Sequence, residues 1–277
     1  MDIRRHYVDI SIGQVHGLIA GPDDGLPLVL LHQTSDAASM YEPVLPLLGA
    51  LGYRAIAIDI PGQGNSVKPP HQPTGDEFAS WTHEAVVAFG LGSYHLLGHH
   101  FGGTVAGFMA ATIPTAVKSL MVYGWVDIKG TDWANDMVKA KPRIFDPNGE
   151  IVKHHWVRRW EMSGRELADP SENRFTEAMG LRTMIALLQS GPSWYYAYHL
   201  LGGTDHKELA ARINCPVLMF AGPRDHIYNE SRDAVPNFPN AQWKHMDWVG
   251  VDVTDEEPEE FVNVIHSFIS SVEKGSA

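Results

Sequence analysis

Tyr94-His95-Leu96-Leu97-Gly98-His99-His100-Phe101-Gly102-Gly103 is the stretch on which the fold turns. Its first half is an apolar run of strand length, Gly98, Gly102 and Gly103 frame a tight turn, and residues 104–111 continue with the small side chains of a closely packed helix. A strand that passes through glycines straight into a helix is one unit of an α/β protein.

Working outward, similar β-branched or aliphatic runs occupy residues 27–32, 55–59, 94–98, 119–123, 217–221 and 242–246. Stretches of helical length separate most of them, and alternating strands and helices predict a mostly parallel sheet covered on both faces. Residues 7–12 and 15–20 alternate around Gly13, the pattern of an antiparallel edge hairpin. The alternation stops between Asp127 and about Asn214. That segment carries Trp133, Trp156, Trp160, Trp194, Tyr195, Tyr196, Tyr198, Met137, Met162, Met179 and Met184 among helix-forming polar residues. It reads as a helical cap over residues 128–205, set into a core of residues 1–127 and 206–277. A pocket belongs where such a cap meets the carboxyl ends of the strands. Most of these aromatics are expected to form the cap's own small core, with Trp194 and Tyr195, together with Trp125, as candidate pocket residues.

Composition narrows the partners. The 277 residues are 44% hydrophobic, with 21 Lys and Arg against 33 Asp and Glu, a formal charge of -12. Nothing basic is available to offset a nucleic-acid backbone or an anionic membrane. The longest apolar runs, residues 27–31 and 216–221, have strand length, and no charged-then-apolar leader opens the chain, so a cytoplasmic protein is expected. The single cysteine, Cys215, allows no internal disulfide or multi-cysteine metal site and is expected to be buried and inert. Neither a P-loop nor a dinucleotide glycine pattern occurs, so phosphorylated ligands are not expected and no cofactor is implied. The expected partner is a small apolar or aromatic molecule bearing a carbonyl or hydroxyl, and a homodimer is an open possibility.

The glycine turn resembles the nucleophile elbow of the α/β-hydrolase superfamily, in which Gly-x-nucleophile-x-Gly forces a strained strand-to-helix turn. Four further landmarks follow in the family's order. Leu30-Leu31-His32 and the polar turn after it resemble the loop that supplies one oxyanion-hole amide. Asp59-Ile60-Pro61-Gly62-Gln63-Gly64-Asn65-Ser66 matches a turn typical of the family. Gly222-Pro223-Arg224-Asp225 stands where the triad acid is usually held, and Glu256-Glu257-Pro258-Glu259-Glu260-Phe261 resembles the lead into the last helix. The resemblance implies an α/β-hydrolase fold with a cap, a pocket above the elbow, and oxyanion donors at the Phe101 amide and near Gln33.

Three positions depart from the family pattern, one of them Gln33, which stands where the family commonly has Gly after His32. His100 occupies the centre of the elbow, where the family places Ser, Asp or Cys. Val251 stands where the family's histidine is expected, and no histidine lies between His245 and His266. Acyl-serine chemistry is therefore excluded. His32 and His99 match family-typical packing positions. His154 and His155 are adjacent on a helix, so at most one of them reaches the pocket. Arg158 and Arg159 are expected on a solvated helix face.

Three readings remain. In the first, His100 is a general base oriented by Asp225, serving hydrolysis, carbon–carbon cleavage, elimination or isomerisation. In the second, the degenerate triad marks a non-catalytic small-molecule binder or receptor. In the third, His32, His99, His100, His226 and Asp225 hold a catalytic metal, although no short ligand spacing supports it.

Overall fold

The computed structural model describes residues 2–139, 147–164 and 173–275. The apolar runs become strands β1 (Arg4–Ile10), β2 (Gly13–Ala20), β3 (Leu26–Leu31), β4 (Tyr53–Ile58), β5 (Tyr94–His99), β6 (Val117–Tyr123), β7 (Val217–Ala221) and β8 (Ala241–His245). They form one eight-stranded sheet in the order β1-β2-β4-β3-β5-β6-β7-β8. β1 pairs antiparallel with β2, and β2 with β4; every later pairing is parallel. Central strands are buried on both faces, which is why Leu28, Val29, Leu30 and Leu31 read as an unbroken aliphatic run. The first strand stops two residues short of the expected 7–12, because Ser11 and Ile12 make the turn that Gly13 closes at φ +138.

Helices α1 (Leu45–Ala50), α2 (Gly75–Ala88) and α3 (Phe101–Thr112) connect the first parallel strands. Between β6 and β7 lie α4 (Asp132–Lys139), α5 (Glu150–Ser163), α6 (Glu177–Ser190) and α7 (Tyr195–Gly203). They fall within the span 128–205 expected to be a cap, of which residues 140–146 and 165–172 lie outside the described residues. The chain ends with α8 (His206–Ala211), α9 (Tyr228–Ala234), α10 (Val253–Glu256) and α11 (Pro258–Glu273). Among the described residues, no helix is long and apolar enough to cross a membrane.

The sheet carries an apolar layer on each face. Val29, Leu31 and Leu96 meet Phe78, Phe101 and Val105 of α2 and α3 on one face, while Leu28 and Leu30 share the other layer with Tyr41, Leu45, Phe261 and Phe268. Two glycines let α3 approach this closely. A Cβ at Gly98 would lie 2.3 Å from the carbonyl oxygen of Gly102, and one at Gly102 would lie 2.1 Å from that of Leu31. The helix therefore starts directly over the ends of β3 and β5. Cys215 is half-buried rather than buried, and burial pushes its thiol up to about 11.

A set of ion pairs joins the α5–α6 region to the segment around α10. Arg159 meets Asp252, Arg182 lies 2.5 Å from Asp255, and Arg174 lies 2.8 Å from Glu257. Arg224 reaches both sides, with its guanidinium 2.6 Å from Glu256 and donating to the Ser163 carbonyl at 2.8 Å.

Candidate active site

The turn between β5 and α3 holds His100 at φ 47, ψ -108, a conformation that a residue with a Cβ occupies at a cost of order 1–3 kcal/mol. Its amide is tied to the Tyr123 carbonyl at 3.0 Å, so the two neighbouring strands hold the turn in place. The side chain, 8% exposed, extends over the sheet toward the turn that follows β7. There Nε2 lies 2.7 Å from Oδ2 of Asp225, whose side chain is fully buried. Oδ1 of Asp225 accepts from the Ile227 amide at 3.0 Å and lies 3.5 Å from Nδ1 of His226.

The charge of this carboxylate follows from its neighbours. Burial by itself would raise the Asp225 carboxyl, but the His100 imidazole, its hydrogen bond, and the His226 imidazole together hold it well below the usual carboxylate range. An ionised carboxylate only accepts hydrogen bonds, so Nε2 of His100 carries the proton and donates. Nδ1 is then the ring nitrogen with a free lone pair, and no group among the described residues is hydrogen-bonded to it.

His100 faces a cavity of about 60 Å³. The β3 turn contributes Gln33, Thr34 and Ser35, the β6 end contributes Val126, and the β7 turn contributes His226. The remaining wall comes from α4 through Trp133 and Met137, from α5 through His155, Arg158, Arg159 and Met162, from α6 through Thr183, and from α7 through Tyr198 and Leu201. The hydroxyl of Thr34 is buried without a hydrogen-bond partner on this wall. The Phe101 amide begins α3 and so stands outside the helix's own hydrogen-bond ladder, a donor at the foot of His100. An open depression of about 250 Å³ adjoins the cavity and shares Trp133, Met137, His155, Arg158 and Tyr198 with it.

Of the residues singled out from sequence, His100 and Asp225 are brought into contact and Gln33 lines the cavity. His32 does not face it. Its Nδ1 donates to the Gln33 carbonyl at 2.7 Å and its Nε2 accepts from the Ile60 amide at 3.1 Å, which fixes the β3 turn. The Phe101 ring is packed beneath the site against Phe78. Trp194 and Tyr195 line the outer depression rather than the cavity, and Val251 is buried off both walls.

Trp125 corrects the expectation from sequence. Gly124 turns the chain at φ +71, and the indole drops beside α3 against His206 and Phe238, leaving Val126 on the cavity wall. Arg158 and Arg159 correct it as well. Arg159 is turned into the cavity wall against Asp252, and Arg158, half-buried, lines both the cavity and the open depression, because α5 lies over the cavity. Of the adjacent pair His154 and His155, the cavity receives only His155, as their angular separation on the helix requires.

The histidine cluster contracts in the folded protein. His99, His100 and Asp225 have potential donor atoms within 4.8 Å of one another, while His32 is spent on the β3 turn. His99 is fully buried with both nitrogens unpartnered, and burial pushes its imidazole well below its ordinary value. The 2.7 Å contact between His100 and Asp225 is a hydrogen bond that shares a proton, and a cation between them would have to open it.

A family model described as alpha/beta hydrolase fold matches residues 27–248. A serine hydrolase-like protein of Danio rerio is 32% identical over 136 residues, covering 46% of this chain and 40% of that protein. An uncharacterized carboxylesterase nap of Bacillus subtilis is 30% identical over 117 residues, covering 42% and 39%. These matches thus span about two fifths of each relative's length. A fluoroacetate dehalogenase of Burkholderia sp is 23% identical across 98% of this chain and 95% of its own. Among solved structures, a hydrolase from Pseudomonas aeruginosa PA01 superposes with a TM-score of 0.81 at 19% identity, over 96% of this chain and 98% of that one. The enol-lactonase from Burkholderia xenovorans LB400 superposes with a TM-score of 0.79 at 16% identity, over 96% and 100%.

Proposed function

Since the chain belongs to the alpha/beta hydrolase fold family, we propose that it is an enzyme acting on a small carbonyl compound, with the elbow imidazole of His100 as general base in place of a serine nucleophile. The observation that carries this reading is the 2.7 Å hydrogen bond from Nε2 of His100 to Asp225 at the strained elbow. It supports a fixed tautomer, in which Nδ1 is the basic nitrogen and faces the cavity contents.

In this mechanism a water above His100 gives a proton to Nδ1 as its oxygen attacks the substrate carbonyl carbon. The imidazolium so formed is balanced by the Asp225 carboxylate, which does not itself take the proton. Negative charge collects on the carbonyl oxygen, where the Phe101 amide and the Thr34 hydroxyl are available as donors. The tetrahedral intermediate then expels its leaving group, which takes the proton back from Nδ1. Proton removal from carbon next to a carbonyl would use the same base and the same donors, giving elimination or isomerisation. Relatives named for dehalogenation of fluoroacetate and for carboxyl-ester cleavage support small substrates and hydrolytic chemistry. Helices α4–α7 act in this reading as the cap that excludes bulk water.

The test is a turnover screen of small esters and lactones with the wild type, His100→Gln and His100→Ser. Turnover should fall at least about 10²-fold in both variants, the usual contribution of a positioned base. Turnover unchanged by His100→Gln would sink the mechanism.

A further inference from the structure

The wall above His100 carries a cation that no anion among the described residues answers. Arg158 and Arg159 both line the cavity, in a chain with only 21 Lys and Arg against 33 Asp and Glu. Their environments differ. Arg159 is committed, hydrogen-bonded to Asp252 and 3.6 Å from Asp36. Arg158 makes no ion pair or side-chain hydrogen bond among the described residues. It stands at the neck where the cavity opens into the outer depression, with Trp133, Met137, His155 and Tyr198 beside it on both walls.

Among the described residues, nothing at the neck neutralises it. The His155 imidazole is pushed down to about 4 by burial first and then by the charges of His154 and Arg158, so it is an uncharged neighbour. Asp136 lines the outer depression but not the cavity, and it forms no ion pair with Arg158. When a ligand displaces water from this neck, a guanidinium left facing aromatic and thioether surface loses hydration without return. A carboxylate on the ligand restores the loss through short, charge-assisted and bidentate hydrogen bonds. At the far end of the same cavity, His100 Nδ1 and the unpartnered Thr34 hydroxyl call for a second oxygen function. A volume of about 60 Å³ holds roughly four to six waters at about 10–15 Å³ each, so the portion between the two ends is short.

We propose that this site takes a small organic acid, its carboxylate held at the neck by Arg158 and its carbonyl, ester or lactone carbon presented to His100. The proposal rests on the reading that the cavity over His100 is where substrate binds. It replaces a neutral apolar substrate with an anion, and it makes Arg158 the residue that selects for charge.

Binding separates this proposal from the mechanism. Butanoate and benzoate are compared with butanamide and benzamide by titration of the full chain, with ¹⁵N-labelled histidine reporting whether each ligand reaches His100. The acids should bind at least tenfold more tightly than the amides, shift the His100 resonances and weaken with added salt. Arg158→Gln should erase the preference, Arg158→Lys should retain part of it, and His100→Gln should leave it in place. Equal binding of acids and amides to the wild type overturns the proposal. So does a folded Arg158→Gln protein that keeps the wild-type preference. If Arg158→Gln does not fold, the wild-type comparison and Arg158→Lys decide. His100-dependent hydrolysis of neutral esters without any preference for acids would overturn the proposal and leave the mechanism standing. A clear preference for acids with no His100-dependent turnover would do the reverse.

Discussion

Asp225→Asn tests the proton couple at its most exposed assumption, the identity of the nitrogen that carries the proton. The substitution keeps volume and shape at a fully buried position but removes the charge. An ionised Asp225 forces Nε2 of His100 to donate across 2.7 Å. Asparagine can turn its amide so that Nε2 accepts instead, which moves the ring proton to Nδ1 and blocks the base. The imidazolium formed during proton transfer also loses its counter-ion. Two unit charges about 4 Å apart at an effective dielectric of about 20 interact by roughly 4 kcal/mol. At about 1.4 kcal/mol per factor of ten, that corresponds to roughly a 10³-fold fall in turnover. The assay has two arms. Histidine ¹⁵N spectra should show Nε2–H for His100 in the wild type and a shift toward Nδ1–H in the variant, without any substrate. Turnover on whichever ester the wild type accepts should fall by about that factor while the far-UV spectrum is retained. A variant within tenfold of wild type, or a wild type already in the Nδ1–H form, would refute the reasoning.

Three further outcomes follow from the packing. His206 is fully buried against Trp125 and its imidazole is pushed down to about 3, chiefly by burial. Its folded value lies below the unfolded value of about 6.5, so its contribution is intact above that pH and is lost as pH falls toward 3. Between pH 7 and pH 4.5 this group should cost about 2–3 kcal/mol, and denaturant midpoints of a His206→Gln variant should show a correspondingly shallower pH slope. Gly102→Ala would place a methyl 2.1 Å from the Leu31 oxygen and 2.6 Å from that of His32, backbone atoms that cannot swing aside. Stability should fall by about 3 kcal/mol or more, seen as a melting temperature lowered by roughly 6–12 °C. Arg224→Met should strand the buried Glu256 carboxylate at a cost of about 3–5 kcal/mol; the double change Arg224→Met with Glu256→Leu should recover most of that loss in equilibrium unfolding.

The sheet was legible because its central strands are buried on both sides and so read as aliphatic runs bounded by turns, as Leu28 to Leu31 do. The elbow was legible through glycines that only a close helix approach requires. The acid was legible only by its place in the family pattern, since His100 and Asp225 are 125 residues apart and nothing local links them. Trp125 was misplaced because the turn at Gly124 decides which way its indole goes. Arg158 and Arg159 were misplaced for a different reason. The outward side of α5 keeps Trp156, Val157 and Trp160 exposed, so the helix has no clean apolar stripe and its buried face cannot be read from polarity. Two adjacent cations on a helix that lacks a stripe are the signal, within the sequence itself, of a polar cavity wall.

In the proposed mechanism the departures at His100 and Val251 answer each other. A serine at the elbow is a weak nucleophile that needs an imidazole between itself and the acid, and the loop after β8 is where that imidazole would stand. With histidine on the elbow the imidazole reaches Asp225 directly, at 2.7 Å, and the proposed mechanism needs no intermediary. In that mechanism the loop after β8 supplies no catalytic group. In this chain Val251 is buried there, and the residues that follow it are acidic: Asp252, Asp255, Glu256 and Glu257 face Arg159, Arg182, Arg224 and Arg174. Val251→His alone should therefore give no gain in turnover, because the carboxylate it would address already accepts the Nε2–H hydrogen bond of His100.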